Sequence, residues 1–178
     1  MGERGALRRF GTEAMVAVPV GQVYRLLEMV ELYPLWVPHL VDSYGLTAGP
    51  LRPGSRFVFH LSILGFRLLL EGVVTEVAPE SLIAFRSVAG PSLRGRWRLW
   101  PKGESTRVEF AMEFRLPGGP IGTAARLFDV ERVLAEQARR AAVAFRALAE
   151  RAQAPDEALD VPGRDSQAEM NGQDRPKE

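Results

Sequence analysis

Few side chains in this sequence have a type and spacing that could perform chemistry. None of the 178 residues is cysteine, so disulfides, thiolate metal sites and cysteine nucleophiles are excluded. The two histidines, His39 and His60, are too few for a multi-histidine metal site. No Gly-x-Ser-x-Gly segment is present, so the serines lack the setting of a nucleophilic triad. The sequence therefore predicts no metal site, no cofactor and no covalent catalysis.

General acid or base chemistry would need only one titratable group in a polar cavity. The groups available for it are Tyr44, His60, Arg67, Glu71 and Arg86. Strand alternation turns His60 away from the apolar face of its strand, although a β-bulge would reverse that direction. The arginines and the glutamate are expected to form cross-strand ion pairs. His60 and Tyr44 therefore stay as the candidate polar groups of a cavity. His39, at a junction between a loop and a strand, is expected to be structural or exposed.

Hydrophobic periodicity and turn residues predict one strand, two short helices, six strands and a long helix. The predicted strands are 12–18, 41–47, 56–62, 67–77, 82–88, 93–100 and 106–116. The predicted helices are 20–30 and 124–151, and residues 31–36, interrupted by Pro34, are predicted as a short helix or a turn. Short connections between successive strands imply antiparallel hairpins. The predicted fold class is therefore α+β, with a seven-stranded curved antiparallel sheet wrapped around the long C-terminal helix.

Alternation along three of these strands assigns a row of large apolar side chains to the concave face of the sheet. Facing that row, the long helix carries alanine at positions 135, 138, 141, 142 and 144. Small side chains on a straight helix over a curved sheet leave space instead of filling it. The sequence therefore predicts a cavity, and the residues expected to line it are Phe59, Leu61, Trp97, Leu99, Phe110, Met112, Phe114, Ala138 and Phe145.

Two segments are candidate gates for that cavity. The predicted hairpin tip at residues 62–66 is apolar, and exposed apolar tips often mark contacts. Phe66 is therefore expected to act as a lid, a dimer contact or a membrane contact, unless it packs under the N-terminal helices. The Pro-Gly-Gly-Pro segment before the long helix, with Gly118 and Gly119, is the second candidate gate.

Arginines alternate along one strand in a pattern that could bind nucleic acid or a ribosome. Arg94, Arg96 and Arg98 share a face, but Glu109 and Glu113 of the next strand lie on that face too. The formal net charge is only +1. A mixed charge ladder is therefore favoured over a nucleic-acid surface.

The chain is predicted to contain one domain, residues 1–153, followed by a disordered tail. Residues 154–178 carry seven acidic and three basic side chains and several prolines and glycines. No apolar run approaches the ~20 residues that span a bilayer, and no apolar segment of a secretory signal follows the N-terminal arginines. A cytoplasmic protein is expected, either a monomer or a homodimer.

Several segments resemble the START-like, or SRPBCC, superfamily. Residues 17–27 resemble its opening strand and helix, residues 31–38 its proline–aromatic–proline segment, and residues 49–55 its glycine turn. Residues 97–99 and 106–108 resemble its paired strands before the final helix. The resemblance covers residues 10 to 151. Within the superfamily the chain is most similar to polyketide cyclase/dehydrase-type bacterial proteins, and residues 31–38 also resemble the coenzyme Q-binding branch. It implies the helix-grip fold and a ligand cavity between the sheet and the C-terminal helix, but no single reaction.

Three functions are compatible with these features. The first is a carrier or sensor of an apolar small molecule such as a lipid, a quinone or a polyketide-like compound. The second is an enzyme of the polyketide cyclase/dehydrase type. The third is an interaction module that contacts a ribosome or, peripherally, a membrane. Because no catalytic set is assembled in the sequence, the first function is favoured.

Overall fold

The structure is a computed structural model, and it describes residues 7–63, 65–115 and 130–153. The strands are β1 (Leu7–Val16), β2 (Leu40–Gly45), β3 (Arg56–Ile63), β4 (Phe66–Ala78), β5 (Leu82–Ala89), β6 (Leu93–Lys102) and β7 (Ser105–Arg115). The helices are α1 (Val20–Glu28), a 3-10 helix (Val30–Leu35) and α2 (Val130–Gln153). The predicted tail, residues 154–178, and the predicted start of the long helix lie outside the described residues.

From β2 to β7, each strand pairs with the next one along the chain. The strand order is β1-β7-β6-β5-β4-β3-β2, and every neighbouring pair is antiparallel. β1 lies at the edge of the sheet opposite β2 and pairs with β7 over ten residue pairs, from Leu7 opposite Arg115 to Val16 opposite Thr106. The predicted α+β fold, a seven-stranded antiparallel sheet with a C-terminal helix, is confirmed.

β1 and the second helix differ from the sequence prediction in extent or type. β1 begins at Leu7, whereas the sequence predicted a start at residue 12. The arginine-rich beginning of β1 gives no clear strand signal, and its hydrogen bonds to β7 are what extend the strand. The second helix is a 3-10 helix with Pro34 inside it. Proline lacks the N–H that a longer α-helix would need at that position. This helix and Trp36, which follows it directly, are called the 3-10 segment below.

One end of the sheet is closed by α1 and the 3-10 helix. α1 buries Val23, Tyr24 and Leu27. The hydroxyl of Thr106 donates to the carbonyl of Val18 at 2.7 Å, so the end of β7 is tied to the chain between β1 and α1. Within the described residues, no helix has an apolar stretch long enough to cross a membrane.

The convex face of the sheet carries paired charges. Glu113 lies between Arg9, at 2.8 Å, and Arg94, at 3.3 Å. Glu71 pairs with Arg56 rather than with Arg67 or Arg86. These exposed pairs form a mixed charge ladder and contribute little to stability individually.

Candidate functional site

The described residues of the sheet and α2 enclose a space between two ends. At one end, called the closed end, the N–H of Ala17 donates to Glu150 Oε1 of α2 at 3.1 Å, which together with Arg146 holds the pKa of Glu150 below its usual range. At the other end, called the mouth, the described lining residues are Pro91, Arg115 and those of α2 around Val133. α2 therefore runs from the mouth to the closed end along β1, the strand against which it mainly packs.

A cavity of about 310 Å³ lies between α2 and the concave face of the sheet. Its walls come from all seven strands, the 3-10 segment and α2, and they are mostly apolar. Among the helix positions predicted to leave space, Ala138, Ala141 and Ala142 line the cavity. The volume is at the lower end of the range for small-molecule pockets, roughly 300–1,000 Å³.

An aromatic cluster forms the inner wall. The ring of Trp36 lies 5.5 Å from Trp97, 5.0 Å from Phe145 and 4.6 Å from Tyr33, measured between centroids. Trp97 lies 4.2 Å from Phe110 with a tilt of 32° between the rings. The 3-10 segment thus joins the sheet and α2 through one tryptophan, and presents ring faces and edges to any occupant.

Most of the predicted lining residues surround this cavity. They are Phe59, Leu61, Trp97, Phe110, Met112, Phe114, Ala138 and Phe145. Leu99 does not line it, although it is buried on the same inward face of β6 as Trp97. Its position nearer the closed end, where α1 contacts β6, places it in the filled core.

The two candidate polar groups of the cavity lie elsewhere. His60 and Tyr44 do not line the cavity, and their rings are 5.9 Å apart on the side of β2 and β3 away from Phe59. No bulge intervenes between Phe57 and Leu61 in the β3–β4 pairing, so alternation directs His60 outward. The other histidine, His39, does line the cavity, at the start of β2, and has a left-handed backbone with φ of 65°.

The candidate gates are only partly described. Phe66 begins β4 opposite Ile63, beside the mouth, and the structure describes its backbone but not its side chain. Gly118 and Gly119 lie outside the described residues. Both gates stay predictions.

No pair of titratable groups converges inside the cavity among the described residues. Tyr33 donates its hydroxyl to the carbonyl of Leu27 at 2.8 Å, and burial raises its pKa. The Glu13 carboxylate pairs with Arg107 at 2.7 Å on the convex face. His39 and Arg115 lie at the mouth. The part of the chain that the structure describes also holds no cluster of acidic and histidine side chains suited to a metal.

Two buried indole N–H groups have no acceptor in the described part of the chain. They belong to Trp36 and Trp97. Burial raises the pKa of Tyr33 and the neighbouring Trp97 indole opposes part of that rise, but the Trp97 N–H makes no hydrogen bond to a described residue. An unpaired buried donor costs free energy, so this wall favours a neighbour that can accept a hydrogen bond.

Sequence reasoning missed several lining residues: Phe10, Thr12, Tyr33, Trp36 and Gln137. Alternation from Phe10 to Ala14 was a readable signal for β1. Gln137 was a readable signal too, because it lies three residues after Leu134 and four before Ala141 in an otherwise apolar stripe. The aromatic pair of the 3-10 segment gave no such signal, because its position depends on packing against Trp97 and Phe145.

Comparisons with known proteins agree with this architecture. The family described as "Polyketide cyclase / dehydrase and lipid transport" matches residues 8–150. No curated protein matches the chain significantly.

Solved structures share the fold. TTHA0849 from Thermus thermophilus has a TM-score of 0.71 at 19% identity, covering 83% of this chain and 100% of its own. The Zhui aromatase/cyclase from Streptomyces sp. R1128 has a TM-score of 0.68 at 20% identity, covering 82% and 95%. A START superfamily protein from Mycobacterium smegmatis has a TM-score of 0.64 at 19% identity, covering 81% and 98%. At such identities these likenesses show the fold alone, whereas the family match spans most of the chain, and the protein therefore belongs to the polyketide cyclase/dehydrase and lipid transport family.

Proposed function

We propose that the protein binds an apolar small molecule in the cavity between the sheet and α2, and acts as a carrier or sensor. The observation that carries this proposal is the cavity of about 310 Å³ with mostly apolar and aromatic walls. Removing apolar ligand surface from water contributes roughly 25 cal/mol per Å². A lipid, a quinone or a polyketide-like compound of compact size suits this lining.

Binding without catalysis is favoured by the chemistry of the walls. Tyr33 is a buried donor to the main chain, and Glu13 is held outside by Arg107. Acid–base catalysis needs a titratable group near the reacting atoms. Among the described residues of the interior, no titratable group is available for this role.

Filling the cavity tests the proposal. Ala141 lines the cavity, whereas Ala147 is exposed on the same helix. Ala141→Phe is expected to weaken binding of the neutral probe N-phenyl-1-naphthylamine by at least roughly tenfold, because the new ring occupies the space and overpacks it. Fluorescence enhancement of the probe on titration measures this.

Ala147→Phe is the matched control, with the same added ring on the solvent side of α2. Its probe affinity should equal that of the unaltered chain. The proposal fails if the unaltered chain binds no probe, or if both variants bind as it does. Circular dichroism of each variant separates lost binding from lost folding.

An enzyme of the polyketide cyclase/dehydrase type is the second candidate. The family description and the likeness to an aromatase/cyclase favour it. In the described residues such an enzyme would have to use the mouth, where His39 and Arg115 lie, instead of the inner wall. Turnover of a polyketide-like substrate that is lost in His39→Ala would support this candidate over the carrier.

The partners and the location of the carrier belong to the proposal as well. A cytoplasmic carrier could deliver its ligand by touching a membrane or a ribosome with the β3–β4 tip beside the mouth, where Phe66 begins β4. Co-sedimentation with liposomes or ribosomes tests this contact. Light scattering would distinguish a monomer from a homodimer.

A further inference from the structure

One row of side chains crosses the cavity from the β1 edge to the middle of the sheet. Thr12 is paired with Phe110 in the β1–β7 register, and Phe110 is paired with Trp97 in the β7–β6 register. All three residues line the cavity. Because paired residues lie at one level along their strands and on one face, these side chains form a continuous row: a hydroxyl beside two aromatic rings.

Gln137 of α2 lies at the level of that row. The hydrogen bond from Ala17 to Glu150 fixes α2 against the end of β1. At ~1.5 Å per helical residue, Gln137 lies about 20 Å from Glu150 toward the mouth. At ~3.3 Å per strand residue, Thr12 lies about 17 Å from Ala17 in the same direction. Since α2 packs mainly against β1 and both residues line the cavity, Thr12 and Gln137 lie at nearly the same height in it.

These two residues are a polar interruption in an apolar wall. Their neighbours in the lining include Phe10, Ala14 and Ala138. Neither the hydroxyl of Thr12 nor the carboxamide of Gln137 hydrogen bonds to another residue that the structure describes. A polar group in an apolar wall costs free energy unless a partner satisfies it. Together the two groups offer donors and acceptors without charge.

We infer that Thr12 and Gln137 form a subsite for an uncharged oxygen substituent, a hydroxyl or a carbonyl, on a planar ring. This inference rests on the proposed function. The ring packs against Trp97 and Phe110, whose close approach makes a broad aromatic surface. A substituent on the edge of that ring then meets Thr12 and Gln137 in the same row. An unsubstituted hydrocarbon leaves both groups without a partner, and an anionic substituent loses its hydration against neutral groups. The ligand class is therefore an oxygenated ring compound.

A matched pair of ligands tests this subsite. 2-Naphthol and 2-methylnaphthalene have nearly the same shape and differ by a hydroxyl in place of a methyl group. Their dissociation constants are measured by displacement of N-phenyl-1-naphthylamine from the unaltered chain and from Thr12→Val/Gln137→Met. Both substitutions keep the side-chain shape close to the original and remove the hydrogen-bonding groups.

The readout is the ratio of the two dissociation constants, because the ratio cancels changes that affect both ligands equally. The double variant is expected to shift the ratio about three- to tenfold toward 2-methylnaphthalene, the value of one net hydrogen bond. Thr75→Val/Gln22→Met makes the same changes outside the cavity and should leave the ratio unchanged.

The outcomes separate the subsite from the proposed function. If the probe binds but the ratio is the same in the double variant, the subsite is refuted and the carrier proposal stands. If the unaltered chain binds no probe, the carrier proposal fails and the subsite fails with it. Should the double variant not fold, the single variants Thr12→Val and Gln137→Met are each expected to shift the ratio in the same direction, and an unchanged ratio in both refutes the subsite.

Discussion

At the scale of single residues, Tyr33 serves both the fold and the cavity wall. Its ring centroid lies 4.6 Å from that of Trp36 and 5.7 Å from that of Phe59, and its hydroxyl donates a hydrogen bond to the carbonyl of Leu27. Burial raises the pKa of Tyr33 above its ordinary value of 10.0, because the phenolate would lose its hydration. Tyr33 is therefore a neutral structural donor near neutral pH.

The raised pKa of Tyr33 predicts a loss of stability in alkali. The folded state holds the phenolic proton more tightly than the unfolded state, so this contribution is complete below pH ~10 and decreases as the pH rises above it. Tyr33→Phe is expected to lower the free energy of unfolding by about 1–3 kcal/mol near pH 8, because the buried Leu27 carbonyl loses its donor.

Urea unfolding from pH 8 to pH 11 checks the sign of this effect. The difference between the unaltered chain and Tyr33→Phe should shrink above pH 10, since only the unaltered chain has this proton to lose. A difference that stays constant over the whole range would contradict the buried, proton-holding role of Tyr33.

At the scale of elements, two glycines let aromatic rings lie flat across the curved sheet. A Cβ on Gly95 would collide with the ring of Phe85, and one on Gly72 would collide with the ring of Phe57. Each ring belongs to the neighbouring strand. A side chain at either glycine would push the ring toward α2, so the glycines help to keep the concave face open.

Gly95→Ala is expected to destabilise the protein by about 1–3 kcal/mol through overpacking against Phe85. Urea unfolding with an unchanged m-value would measure this cost. Phe85→Leu in the same chain should remove much of the penalty, because the smaller side chain can yield. If the two substitutions add without coupling, the ring-on-glycine contact is not the cause.

Sequence patterns specified elements better than the contacts between them. Alternation and helical spacing identified the rows that hold Trp97, Phe110 and Phe145, because period and face are local properties. Leu99 follows the same alternation as Trp97, and only the position of α1 decides that it lies in filled core. The inner aromatic wall depends on the 3-10 segment, which brings Trp36 into contact with α2. These residues are far apart in sequence, so no local sequence pattern predicts the contact.

At the scale of the whole molecule, hydrogen bonds between distant parts of the chain hold the closed end together. At the closed end, Thr106 is hydrogen bonded to Val18, and Ala17 is hydrogen bonded to Glu150. Both Val18 and Thr106 are completely buried there. At the mouth, the side chain of Arg115 is exposed. Because the closed end is held by its own hydrogen bonds, we expect a ligand to enter from the mouth and to act first on the elements there.

This asymmetry predicts where an occupant stabilises the protein. N-phenyl-1-naphthylamine at about one hundred times its dissociation constant should add ~2.7 kcal/mol to the free energy of unfolding, which is a rise of roughly 5–10 °C in Tm. Hydrogen exchange of folded protein should slow at Leu61 and Leu68 near the mouth, because ligand contacts suppress local opening there. Amides at Val18 and Thr106 should change little, since the closed end is already held by its own hydrogen bonds. At the same probe concentration, Ala141→Phe should show both effects reduced, with a gain of about 1.4 kcal/mol or less. Equal slowing at both ends in the unaltered chain would contradict access through the mouth.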